Sequence, residues 1–88
     1  MIAEKVDFSG ADLSHGNYTD SFMAGARFDG ATLVGSDFSR TDFTGASFRD
    51  ADLSRADFES CDLRGADFTG AKLVGARFPG AKLDGVIV

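Results

Sequence analysis

Large apolar side chains recur at every fifth position of this chain. The column starts with Phe8, Leu13, Tyr18, Met23, Phe28, Leu33 and Phe38. It continues through Phe43, Phe48, Leu53, Phe58, Leu63, Phe68, Leu73, Phe78 and Leu83 to Val88. Every Leu, the single Tyr and all but one of the nine Phe belong to it. Two positions before each large residue stands a small one. Ala fills ten of these seventeen places, and Val6, Gly16, Ser21, Ser36, Thr41, Cys61 and Val86 fill the rest. No insertion or deletion breaks the register from Val6 to Val88, so the chain is read first as a repeat.

Neither regular element accommodates this period. On an α-helix a step of five residues turns the side chain by about 500°, and the column would spiral around the cylinder. On a strand the same step sends successive residues to opposite faces. The pattern therefore predicts a coil that turns a corner within each five-residue unit, with the large and small residues inward and the other three outward. Gly at ten of the sixteen fifth positions from 10 to 85 eases the corner, for a positive φ or a close backbone approach.

The number of units per turn follows from which residues recur. A spacing of twenty groups Phe8, Phe28, Phe48 and Phe68; then Leu13, Leu33, Leu53 and Leu73; then Tyr18, Phe38, Phe58 and Phe78. The fourth set, Met23, Phe43, Leu63 and Leu83, is mixed. A spacing of fifteen would mix aromatic with aliphatic at almost every step. Four sides per turn place like on like, so rings one coil apart can stack offset.

The units "GADLS", "DADLS", "RADFE", "SCDLR" and "GADFT" resemble the A-D/N-L/F-S/T-x pattern of the pentapeptide repeat family. The resemblance covers nearly the whole chain. It implies an all-β fold, a right-handed quadrilateral β-helix of about four coils with twenty residues per coil, forming a rod roughly 20 Å long at a coil spacing of about 4.8 Å. Residues 6–88 form this single solenoid domain, and residues 1–5 are expected as an N-terminal cap segment. Departures from the pattern fall mostly in the outward Asp/Asn column, at Phe22, Arg27, Thr32, Ser47, Lys72, Arg77, Lys82 and Ile87.

Composition narrows the functional classes. The net charge of −5 speaks against direct nucleic-acid binding, which needs clustered Lys and Arg. No apolar run approaches the roughly 20 residues that span a bilayer, and the first ten residues lack a secretory h-region. A cytoplasmic protein without membrane contact is expected. The single Cys cannot form an internal disulfide, so stability must come from packing.

Catalytic chemistry finds little purchase. His15 falls at an outward corner and Cys61 in an inward slot about two coils away, where it acts as a small apolar filler. The outward carboxylates Asp37 and Asp42 lie over Asp57 and Asp62, but Arg40, Arg55 and Arg64 stand near them, and a calcium ion takes six to eight oxygens. The expectation is no enzyme, no cofactor and no metal, with the carboxylates bonded to nearby backbone.

The resemblance also raises mimicry of nucleic acid, since some longer pentapeptide repeat proteins are acidic rods that bind DNA gyrase and protect it from quinolones. A 20 Å length of duplex carries roughly 12 phosphate charges, against −5 here, so a non-enzymatic structural or protein-interaction module is the leading reading and the acidic mimic its alternative. The protein partner is unknown. The apolar end Val86, Ile87, Val88 is the candidate interface, for homodimerisation through the C-terminal coil or for packing on another domain. Phe22, the one Phe outside the core column, and the basic Lys72, Arg77 and Lys82 form a candidate surface patch. Phe22 is expected either to make a small contact patch or to pack under the N-terminal MIAEK segment.

Overall fold

Each unit closes on a short turn. The N–H of the small residue donates to the carbonyl of the large residue three positions earlier, as from Ala11 to Phe8 at 3.0 Å and from Ala56 to Leu53 at 3.0 Å. Between them lies a residue in the left-handed region. All ten corner glycines have positive φ, and so do Lys5, His15, Asp20, Arg40, Asp50, Arg55 and Ser60, at φ between 56° and 61°. A left-handed residue at every fifth position supplies the corner that a period of five demands.

Where the outward residue before the large one is Asp or Asn, it fixes the same turn from the other side. In Asp7, Asp12, Asp37, Asp42, Asp52, Asp57, Asp62 and Asp67, Oδ1 accepts the backbone N–H two residues on, at 2.9 to 3.2 Å. Asn17 does so for Thr19 at 3.1 Å. The hydroxyls of Ser39, Thr44, Ser54 and Thr69 donate to the same carboxylate oxygen, at 2.6 to 2.7 Å. The Asp-large-Ser/Thr triplet is thus a local turn lock.

A computed structural model describes all 88 residues. Fourteen parallel bridges join the coils, and each links residues twenty apart, from Ile2–Phe22 to Asp67–Ile87. They are single-residue bridges, because the chain turns before a strand can lengthen. Each large residue as far as Phe68 donates its N–H to a carbonyl of the following coil, as Phe8 does to Arg27 at 2.7 Å. The carbonyl of each small residue as far as Ala66 accepts from that coil, as Ala11 does from Thr32 at 2.9 Å.

Like lies on like in the interior. Phe8, Phe28, Phe48 and Phe68 stack with centroids 5.0 to 5.1 Å apart, and Tyr18, Phe38, Phe58 and Phe78 stack at 5.2 to 5.5 Å. Phe43, the one aromatic of the mixed set, meets Phe28, Phe38, Phe48 and Phe58 edge to face at 5.2 to 5.9 Å, and the two stacks also touch directly, as Phe48 and Phe58 do at 5.8 Å. In the small column the polar substitutes reach back to main-chain carbonyls. Ser36 Oγ donates to Leu13 at 2.6 Å, Thr41 Oγ1 to Tyr18 at 3.0 Å and Cys61 Sγ to Phe38 at 2.9 Å. No buried side-chain nitrogen or oxygen is left without a partner.

Two expectations are corrected. Residues 1–5 are one more unit of the coil and not a separate cap: Ile2 bridges Phe22, Lys5 takes the left-handed corner, and Ala3 occupies a buried central place. The body is also no rod, since its extents of 26 × 24 × 24 Å make it as wide as it is long.

Phe43→Ala should cost about 3–5 kcal/mol in denaturant unfolding, because the cavity would open among four rings; a loss below about 1 kcal/mol would show that those edge contacts do not hold the stacks together. At the corners, Gly45→Ala meets no neighbour within 4 Å, so it should cost only the left-handed strain of roughly 1–2 kcal/mol. Ser60→Gly, relieving the same strain, should raise the melting temperature.

Acid should act through the turn locks. The hydroxyl and N–H of the residue two on hold Asp7, Asp37, Asp52 and Asp67 below the ordinary aspartate value of 3.8; for Asp12 the Ser14 N–H leads. Carboxylates lowered by folding give stability that is present above the unfolded value and lost as pH falls through the folded one. The melting temperature should therefore hold steady above about pH 5 and decline between about pH 4 and pH 2. Asn in place of Asp37, Asp52 and Asp67 keeps the acceptor, as Asn17 shows, and should flatten that decline.

Candidate functional site

The residue types that most often carry chemistry are far apart in role. His15 is an exposed corner residue in the left-handed conformation, its ring lying against Gly35 one coil on. Cys61 is buried, burial pushes its thiol up to about 11, and its S–H is spent on the Phe38 carbonyl. Nowhere do three His, Cys, Asp or Glu side chains gather in a way that could hold a metal ion.

On the walls the Asp column is threaded with arginine. Arg40 clasps Asp20 through Nε at 2.8 Å and Nη2 at 3.1 Å, one coil apart. Arg49 reaches Asp67 at 3.1 Å, and Arg27 pairs with Asp29 at 2.8 Å. The Arg64 guanidinium on Asp62, at 2.6 Å, draws that carboxyl down to about 2. Such exposed pairs add little stability, but they cancel charge where it would otherwise project.

The candidate basic residues sit on this ladder. Lys72 lies over Asp52, Arg77 over Asp57 and Lys82 over Asp62. Arg77 Nη1 reaches Asp57 Oδ2 at 3.1 Å. Phe22 is not brought together with them into one patch. It bridges Ile2 on one side and Asp42 on the other, and its side chain stays 56% exposed. The first five residues run beside it and leave it uncovered.

The ends differ from the walls. Val86 and Val88 line an apolar hollow of about 160 Å³ with Phe68, Leu73, Phe78 and Leu83, and no polar residue contributes to it. Ile87, grouped with Val86 and Val88 from sequence, faces outward on the wall over Asp67. Leu73, Phe78 and Leu83 were missed as surface residues because their pattern is that of the core. They lie in the last circuit described, where they line the hollow.

At the opposite end the Tyr18 ring lies against Gly16, where any Cβ would collide with it. This explains the one glycine without a positive φ: it makes room inside the coil and does not turn a corner.

Comparison with known proteins agrees with this architecture. The family model described as pentapeptide repeats matches residues 7–45, 23–59 and 51–87, with eight copies. Among solved structures, the chain is similar to HetL, a pentapeptide repeat protein involved in heterocyst differentiation regulation from the cyanobacterium Nostoc sp. strain PCC 7120. The identity is 38% and the TM-score 0.94, over 97% of this chain and 39% of HetL. AT2G44920, a pentapeptide repeat protein from the Arabidopsis thaliana thylakoid lumen, matches at 34% identity and a TM-score of 0.83, over 97% of this chain and 63% of that one. QnrB1, a plasmid-mediated fluoroquinolone resistance protein, shares the fold at 22% identity and a TM-score of 0.78, over 99% of this chain and 58% of its own. The chain thus spans less than two thirds of the length of each. No curated protein matches it. With the five-residue units, the corner at each fifth position and the family match across residues 7–87 all in agreement, the chain belongs to the pentapeptide repeat family.

Proposed function

We propose that this chain is a non-enzymatic structural and protein-interaction module, a right-handed solenoid of about four coils whose contact surface is its ends and not its walls. The observation that carries this reading is the six-residue apolar hollow at the C-terminal end, because an open core edge beside unpaired backbone favours association. The likeness to HetL, a protein involved in regulation of heterocyst differentiation, supports a regulatory role exercised through contact.

The alternative, an acidic mimic of nucleic acid that binds gyrase, is supported by the fold shared with QnrB1, a fluoroquinolone resistance protein. The five arginine–aspartate pairs on the walls weigh against it. They break up the continuous negative stripe that a duplex presents at about one charge per 1.7 Å.

Two assays separate the readings. The chain should leave gyrase supercoiling unchanged; inhibition that weakens as salt rises would favour the mimic. Immobilised chain should retain a protein that the Val86→Asp, Val88→Asp variant loses and the Arg40→Ser, Arg64→Ser wall variant keeps. Capture lost only with the wall variant would overturn the assignment to the ends.

A further inference from the structure

We infer that the occupant of the C-terminal hollow is the N-terminal end of a second copy of this chain, stacked head to tail. This rests on the reading of the ends as contact surfaces and names what covers them.

The backbone sets the polarity. In every inner coil the N–H groups of the large residue and of the corner residue donate toward the C-terminal end, while only the small residue's carbonyl accepts from that side. In the last circuit the N–H groups of Leu73, Phe78 and Leu83 find no backbone acceptor. In the first circuit the carbonyls of Ile2, Asp7 and Asp12 find no backbone donor. Two C-terminal ends facing each other, the homodimer expected from sequence, would oppose two N–H groups per side with one carbonyl and leave donors unmatched. A C-terminal end on an N-terminal end meets donor with acceptor on all sides and repeats the bonding found between coils.

Side chains choose the register. A copy placed so that its Phe8 takes the next position above Phe78 also puts Leu13 over Leu83 and Tyr18 over Val88. The Tyr18–Phe78 ring stack and the Leu63–Leu83 column then continue like on like. The same placement sets Asp7 over Arg77 and Asp12 over Lys82. One wall would read Asp57, Arg77, Asp7, Arg27 in sequence, with the sign alternating at each coil, as it already does from Asp57 to Arg77 and from Asp7 to Arg27. Turning the copy by one side instead puts Phe8 on Leu83 and Asp12 on Ile87, losing the stack and one ion pair. Arg77 and Lys82, which depart from the Asp pattern near the C-terminal end, are on this account the counterparts of Asp7 and Asp12.

A head-to-tail contact uses two different surfaces and does not close on itself, so it propagates. Each copy would add about 22 Å to a filament of constant cross-section. Sedimentation velocity and small-angle scattering on the 88-residue chain should show mass and length rising with concentration past two copies. The sole fluorophore, Tyr18, should become less accessible to acrylamide as they rise.

A charge-swap pair gives the decisive experiment. One variant carries Arg77→Glu and Lys82→Glu, so both its ends are acidic; the other carries Asp7→Lys and Asp12→Lys, so both are basic. Each alone should associate about tenfold more weakly or worse, and an equimolar mixture should recover assembly. Circular dichroism checks that each folds, and Arg77→Ser with Lys82→Ser replaces the glutamates if stacking them on Asp57 and Asp62 prevents folding. A second variant that assembles as well as the parent, or growth that stops at two copies, overturns the stack in favour of a C-terminal to C-terminal dimer. A parent chain that stays monomeric at every concentration also overturns it. Should capture of another protein still depend on Val86 and Val88, the failure belongs to the choice of occupant and not to the end as a contact surface.

Discussion

A left-handed backbone residue at every fifth position is the constraint on which the rest of this molecule depends. It turns the chain through a corner before either a helix or a strand can form, and it converts a period of five into a circuit of twenty. Glycine meets that demand at no steric cost, but seven corners manage with other residues. At four of them, His15, Arg40, Arg55 and Ser60, an Asp turn lock three residues earlier holds the conformation together with an inter-coil hydrogen bond, and Asn17 does the same at Asp20.

Because a circuit touches only the circuits before and after it, stability is distributed as a chain of neighbour terms. The two ring stacks carry that coupling along the axis, and Phe43 together with direct edge contacts such as Phe48–Phe58 carries it across. The middle circuits have both neighbours, and their large residues are fully buried. The last has one, and Leu73, Phe78 and Leu83 are left partly open. Identical chemistry therefore makes a core in the middle and a surface at the end.

That distinction explains what the sequence could and could not disclose. The inward columns, the twenty-residue recurrence and the buried place of Cys61 were all legible, because each rests on a residue type repeated in register. Position along the axis is not written in residue type. Leu83 looks like Leu63, yet one is exposed and the other fully buried. Gly16 reads as one more small filler of the inward column until the Tyr18 ring is seen lying against it. Ile87 reads as part of an apolar tail, yet the alternation of the coil turns it away from Val86 and Val88 and onto the wall. The ion pairs of Arg40 and Arg49 join coils through side chains long enough to choose among several carboxylates, a choice that spacing alone does not make.

The thiol of Cys61 turns the solenoid into its own gauge of breathing. Held within the fourth wall of a middle circuit, with its proton engaged and its acidity suppressed, it can meet an alkylating reagent only when the surrounding coils part. Its rate of modification would then measure how often fraying that begins at the termini reaches the interior, and not the intrinsic nucleophilicity of a cysteine.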